Sequence, residues 1–153
     1  MIQPYPTIEI ASQADHVHLL QIWEASVRAT HLFLTEEHVQ SFIPLVRDEL
    51  AHFSPLHCLR NGTCEPIAFM GVANGKIEML FVAPDCRGSG AGRKLVEYAV
   101  EQLGARYVDV NEQNEQAVGF YRHMGFEPVG RSELDPMGNP FPILHMRLYP
   151  SAR

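Results

Sequence analysis

The stretch of this sequence richest in chemistry is Phe81-Val82-Ala83-Pro84-Asp85-Cys86-Arg87-Gly88-Ser89-Gly90-Ala91-Gly92-Arg93-Lys94-Leu95, a strand that turns into a glycine-rich loop and opens a helix. Glycine lets a backbone approach a ligand closely, and the exposed N–H groups at a helix N-terminus attract phosphate oxygens through hydrogen bonds and the helix dipole. Arg87 and Arg93 add positive charge on either side. The loop is therefore an anion cradle suited to a pyrophosphate. A Walker loop would continue Gly-Lys-Ser/Thr, but Gly92 is followed by Arg93-Lys94-Leu95; a Rossmann fingerprint counted from Gly88 and Gly90 would put its last glycine where Arg93 stands. Asp109 does lie at a dinucleotide-like distance, so it is the glycine spacing that argues against that ligand.

With those residues in place, Arg87-Gly88-Ser89-Gly90-Ala91-Gly92, preceded by Val82-x-Pro84, resembles the Arg/Gln-x-x-Gly-x-Gly/Ala signature of the GNAT acetyltransferases. The resemblance implies that the amides of Gly88, Ser89, Gly90, Ala91 and Gly92 hold the pyrophosphate of acetyl-coenzyme A, and that Phe81 and Val82 offer backbone groups to its pantetheine arm. A second run is similar to the family's later motif, in which an asparagine precedes a helix bearing Ala-x-x-Phe-Tyr and ending at Gly-Phe. Asn114, Ala117, Phe120, Tyr121, Gly125 and Phe126 match it here. Asn114 is placed to cap that helix. By the family arrangement Tyr121 projects toward the cofactor cleft, where its phenol can donate a proton to the departing thiolate; the alternative is a core tyrosine with a satisfied hydroxyl.

Amide formation requires a neutral amine, yet a lysine-like amine has a pKa near ~10.4, so some group must take a proton. Glu78 stands on the strand just before the pantetheine-binding residues, where several GNAT enzymes place a glutamate that acts directly or through water; a solvated charge alternating out of the sheet is the competing role. Backbone N–H groups near Leu80 and Phe81, where the family's strand splays from its neighbour, are positioned to polarise the thioester carbonyl. Direct transfer needs no enzyme nucleophile, which leaves Cys86 as a bystander thiol beside Arg87. The stretch from Trp23 to Leu34 resembles a segment of a bacterial subgroup of small GNAT proteins, and that likeness points to Trp23, Ser26, His31 and Phe33 as acceptor-wall residues. Core packing competes for Trp23 and Phe33, and a bond to the end of its own helix competes for His31. Together these readings imply an N-acetyltransferase passing acetyl from acetyl-coenzyme A directly to a primary amine of a small molecule or peptide. Two other classes share the loop: a non-catalytic acyl-coenzyme A sensor, which has no need of Tyr121, and an ordinary nucleotide-binding α/β protein.

The elements that must position these residues follow from periodicity. Thr7-Ile8-Glu9-Ile10 alternates as a first strand, and Ser12 with Asp15 forms a capping-box pattern before a helix that carries Val17, Leu20, Trp23 and Val27 to about Thr30. Thr35 opens a second helix bearing Val39, Phe42, Ile43, Val46 and Leu50, which Pro44 is expected to bend or divide. Strands at His57–Leu59, Ile67–Val72 and Ile77–Val82 are separated by Asn61-Gly62 and Asn74-Gly75, the mark of an antiparallel meander. A helix from the glycine loop to Gly104, a strand Tyr107–Val110, a helix from about Glu115 to Met124, a strand at Glu127–Arg131 and a last strand near Ile143–Leu148 complete the order β-α-α-β-β-β-α-β-α-β-β. The implied fold is α/β, the GNAT fold, with a mixed, mostly antiparallel central sheet flanked by helices. Phe141-Pro142-Ile143-Leu144 is equally suited to the core or to a homodimer contact.

Length and composition bound the rest. With 153 residues, 46% hydrophobic and 20% charged, the chain has the balance of one folded domain over 1–153. A formal net charge of −6 disfavours a general nucleic-acid binder. No apolar run reaches membrane-spanning length, and Met1 to Pro6 lacks the regions of a signal peptide, so a cytoplasmic location and no membrane partner are expected. The three cysteines, Cys58, Cys64 and Cys86, show no zinc-type pairing and are expected to stay reduced. The eight histidines are scattered, and no metal site is expected.

Overall fold

The computed structural model describes residues 7–149, so the two ends of the expected 1–153 domain lie outside the described residues. The elements are β1 (Ile8–Ile10), α1 (His16–Thr30), α2 (Glu36–His52), β2 (Leu56–Arg60), β3 (Pro66–Ala73), β4 (Lys76–Val82), α3 (Ala91–Leu103), β5 (Tyr107–Asn111), α4 (Glu115–His123), β6 (Phe126–Ser132) and β7 (Ile143–Leu148). Short 3-10 turns at Gln13–Asp15 and Pro84–Cys86 precede α1 and the glycine loop. This is the order expected from periodicity.

The strands form one sheet in the order β1-β2-β3-β4-β5-β7-β6. Only β4 and β5 pair in parallel; every other neighbouring pair is antiparallel. The parallel contact is brief, joining Lys76 to Tyr107 and Ile77 to Val108, after which the strands part while β4 continues to Val82 and β5 to Asn111. That gap is where the site forms. Because successive strand residues face opposite ways, Ala68 and Met70 pack toward α3 and α4 with Leu95, Val96 and Phe126, while Phe69 packs toward α1 and α2 with Leu19, Trp23 and Leu50. Each such fully buried apolar side chain contributes roughly 1.5–3 kcal/mol, enough to hold helices on both faces.

Local chemistry explains the details. Asn74 and Gly75 both take positive φ, 53° and 76°, and make the two-residue turn between β3 and β4. Asn61-Gly62 does not repeat it. Asn61 Oδ1 instead accepts N–H bonds from Thr63 and Glu65 at 2.9 and 3.0 Å, and the left-handed residue there is Cys64. Of the bend or division expected at Pro44, the helix is not divided: α2 runs unbroken through it, since the lost N–H costs one helical bond and Val39 and Leu50 are buried on either side. Phe141 takes the core role, 8% exposed and packed against Phe33, while Ile143 and Leu144 lie on β7, inside the sheet between β5 and β6, and so offer no free strand edge. Among the described residues, no helix is long and apolar enough to cross a membrane.

Candidate active site

A cavity of about 370 Å³ opens at the carboxyl ends of β4 and β5, bounded by the glycine loop, the start of α3 and the inner face of α4. Gly88 and Gly90 sit at φ 83° and 87°, the left-handed region that an L side chain enters at a cost. The Gly90 carbonyl accepts the Lys94 N–H at 3.0 Å, the first bond of α3. The N–H groups of Gly90, Ala91, Gly92 and Arg93 therefore have no backbone partner among the described residues, and they face a helix N-terminus that favours negative charge. Gly92 has a second reason to be glycine: a Cβ there would lie 3.3 Å from the Phe120 ring, so its absence lets α3 close against α4.

The other predicted cofactor residues fall around this cradle, with one exception. Phe81, Val82, Arg87, Gly88, Gly90, Ala91, Gly92, Arg93, Asn114 and Tyr121 all line the cavity. Ser89 does not; its hydroxyl donates to the Cys86 carbonyl and shapes the loop from behind. Arg87 reaches across the mouth to Gln116 on α4, and Arg93 lies 3.8 Å from Glu97. Asn114 caps α4 as expected, its Oδ1 accepting the Ala117 N–H at 3.2 Å. The Ala83 N–H donates to Ile67 at 2.8 Å, so the two-residue alternation of the ladder turns the main-chain groups of Leu80 and Val82 away from β3, toward the gap. Leu80, rather than Phe81, is thus the nearer source of an amide for a polarised carbonyl.

Tyr121 is only 6% exposed, with its ring held edge-on by Phe120 and Phe126 at centroid distances of 5.1 and 5.7 Å. Its hydroxyl has no hydrogen-bond partner among the described residues yet is not sealed off, so it opens on the cavity it lines. Burial holds the phenol protonated well above its ordinary range. Cys86 also lines the cavity, and burial, then the Asp85 carboxylate, push its thiol up, opposite to the effect expected from Arg87 next door.

A second cavity of about 140 Å³ adjoins the first, and His31 and Phe81 line both. Its walls are largely rings, from Trp23, Phe33, Phe42, Phe81 and Phe141. Trp23 thus combines the two roles expected of it, core residue and wall. Ser26 belongs to the larger cavity and Phe33 to the smaller, so the four acceptor-wall candidates meet around one junction. Asp135 is tied into its own loop: Oδ1 accepts the N–H groups of Met137 and Asn139 at 3.0 and 2.8 Å, and Oδ2 accepts the Asn139 side-chain amide at 3.0 Å.

Glu78 lies outside both cavities. The β3–β4 register passes from Val72 opposite Ile77 to Gly71 opposite Met79, so Glu78 is the extra residue of a β-bulge. It is exposed, 4.0 Å from Lys76 Nζ, and close enough to Glu49 to join burial in raising that carboxyl's pKa. Reasoning from sequence missed Thr30, Gln116, Phe42, Asn111, Asp135 and Phe141 as cavity residues, and only Thr30, four residues after Ser26, carried a local signal. Among the described residues no group of His, Cys, Asp and Glu gathers to hold a metal ion.

Comparison with known proteins agrees with this geometry. Residues 18–126 match the family model described as the acetyltransferase (GNAT) family. The peptidyl-lysine N-acetyltransferase YjaB of Escherichia coli K12 is 44% identical over 128 residues, covering 84% of this chain and 86% of that protein. The solution structure of apo-form YjaB from Escherichia coli superposes with a TM-score of 0.87 at 40% identity, covering 95% of this chain and 98% of the other. A paiA N-acetyltransferase from Thermoplasma acidophilum, solved in complex with coenzyme A, shares the fold at a TM-score of 0.69 with 19% identity, covering 94% of this chain and 99% of that one.

Proposed function

This chain belongs to the acetyltransferase (GNAT) family and is an N-acetyltransferase, and on that premise we propose that its acceptor is a primary amine on an unbranched chain, foremost the lysine side chain of a peptide. The observation that carries this reading is the small, ring-walled cavity meeting the larger cleft at His31 and Phe81. Rings accept a run of methylenes through apolar contact, which suits the unbranched aliphatic chain that carries such an amine. The relatives named peptidyl-lysine N-acetyltransferases support the same acceptor class.

Acetyl-coenzyme A, the co-substrate of this family, supplies the acyl group as a thioester. The four amides from Gly90 to Arg93, without a backbone partner among the described residues and with Arg87 and Arg93 beside them, fit its pyrophosphate. Leu80 and Val82 hold main-chain groups toward the pantetheine arm, and the Leu80 amide stabilises negative charge on the carbonyl oxygen. Tyr121 keeps its proton through burial and delivers it to the leaving sulfur.

A panel assay tests the proposal: purified protein with acetyl-coenzyme A and either a lysine-bearing peptide, its lysine-free counterpart, a polyamine or an amino sugar, following free thiol and product mass. Acetylation of the lysine ε-amine with the highest kcat/KM is expected. A polyamine or amino sugar preferred by about tenfold would move the acceptor to that class, and thiol release no faster than the blank with every amine would overturn the transfer.

A further inference from the structure

Resting on the transfer reading above, we propose that His31 is the general base of the reaction, its Nε2 taking the proton of the attacking amine, and that Thr30 is the positioning residue that fixes the imidazole in the one tautomer able to do so. The tautomer follows from hydrogen-bond bookkeeping. The Thr30 hydroxyl donates its single hydrogen to the Ser26 carbonyl at 2.8 Å, and a carbonyl cannot donate back. With that hydrogen on the carbonyl, the contact of 2.8 Å between Thr30 Oγ1 and His31 Nδ1 is an Nδ1–H donating to the hydroxyl oxygen, and this is the arrangement the proposal assigns. This leaves Nε2 as a bare lone pair. Nε2 has no partner among the described residues and is not sealed away, so it opens on the space that the ring lines.

Position completes the case. His31 is the C-cap of α1, its N–H bound to Val27 at 2.8 Å, and its ring leans on Phe33 at a centroid distance of 5.3 Å, so both backbone and ring are held. It is the one titratable side chain lining both cavities, whereas Glu78, the carboxylate expected to serve as base, lines neither and faces Lys76 on the surface. Burial depresses the imidazole to about 4, so it stands neutral throughout the neutral range. In the transfer, the amine nitrogen forms its bond to the carbonyl carbon and gives a proton to Nε2. The carbon–sulfur bond breaks and the sulfur takes the Tyr121 proton. The imidazolium then returns a proton to the phenolate through solvent, restoring both groups.

Two measurements test this. In ligand-free protein, long-range proton–nitrogen correlation spectra are expected to show His31 as a single species with Nδ1 protonated and Nε2 bare, and Thr30→Val is expected to shift it to a mixture. An Nε2-protonated or mixed imidazole in the wild type would overturn the assignment. In kinetics with a lysine peptide, His31→Ala is expected to lower kcat by about 10²-fold with acetyl-coenzyme A affinity within about twofold, added imidazole to restore part of the rate, and Thr30→Val to cost about 5- to 10-fold. His31→Gln, which keeps the bulk, guards against misfolding when its thermal transition matches wild type. Near-wild-type kcat in His31→Gln, or no imidazole rescue of a folded His31→Ala, would remove His31 from the role. A wild-type enzyme that transfers to no amine would instead overturn the transfer reading and the base role with it, while the tautomer measurement would still decide the part assigned to Thr30.

Discussion

The larger cavity is bounded on its glycine-loop side by main chain, at Gly88, Gly90, Ala91 and Gly92, whereas the smaller is bounded by rings, at Trp23, Phe33, Phe42 and Phe141. The difference reflects what each must recognise. A pyrophosphate is the same on every molecule of cofactor, and amides spaced by small residues meet it with fixed geometry. An acceptor varies between enzymes, and a wall of side chains can change without disturbing the sheet. In the proposed reaction, His31 and Tyr121 carry the chemistry rather than the binding. The structure thus separates into a cofactor wall, an acceptor wall and a seam, and each can be perturbed on its own.

The largest effect is expected at the seam. Tyr121→Phe removes only the hydroxyl from a ring that keeps its contacts with Phe120 and Phe126, so kcat should fall by about 10²-fold or more with acetyl-coenzyme A affinity unchanged. A loss of affinity with kcat preserved would instead place Tyr121 in the cofactor wall. Next comes Gly90→Ala. A Cβ at Gly90 would meet nothing within 4 Å, so the substitution acts through its left-handed backbone alone, at roughly 1–2 kcal/mol. Because the strain is relieved by moving the very amides of the cradle, coenzyme affinity is expected to drop about tenfold while the acceptor KM stays put; titration calorimetry and steady-state kinetics check the two halves. Phe33→Ala is the mirror experiment. Phe33 is half-buried and lines only the smaller cavity, so the expected outcome is a rise of about fivefold in acceptor KM with coenzyme affinity intact. A change in both affinities would mean that the two walls are not independent.

The same division governs what was legible in the sequence. The larger cavity is lined from two contiguous runs, and Asn114, Gly90, Gly92 and Tyr121 all line it, as the two motif resemblances implied. Ser89 escaped because a loop residue between two glycines is as able to brace the turn as to line it. Glu78 was proposed as base through the resemblance and as a solvated charge through alternation along β4; the structure shows it exposed, at a bulge opposite Val72 and Gly71 that no glycine or proline marks in the sequence. The acceptor wall is assembled from α1, α2, β5 and the loop before β7, which no local pattern connects. Phe42 was visible only as a core candidate and Phe141 as a core or dimer-contact candidate, and their meeting with Phe33 and His38 is a product of packing.

The smallest expected effect is on stability, and it separates the seam from the cofactor wall by pH. His31 is held neutral, with a pKa lowered from 6.5 to about 4 by burial, whereas an unfolded chain protonates the same imidazole below 6.5. Between those values the unfolded state binds more protons than the folded one, so stability rises with pH across the window; as pH falls from 6.5 to about 4, stability is lost. His57, buried with its Nδ1 unpartnered, shifts in the same direction and for the same cause, so part of the acid sensitivity persists when His31 is replaced. In denaturant titrations, His31→Gln should therefore lose less stability on acidification than wild type, by under about 1 kcal/mol near pH 6, while Gly90→Ala should show the wild-type slope from a lower starting point. Equal slopes for His31→Gln and wild type would mean that the imidazole is charged, or free to charge, in the fold, and a charged imidazole at the junction has no lone pair with which to receive the proton of an amine.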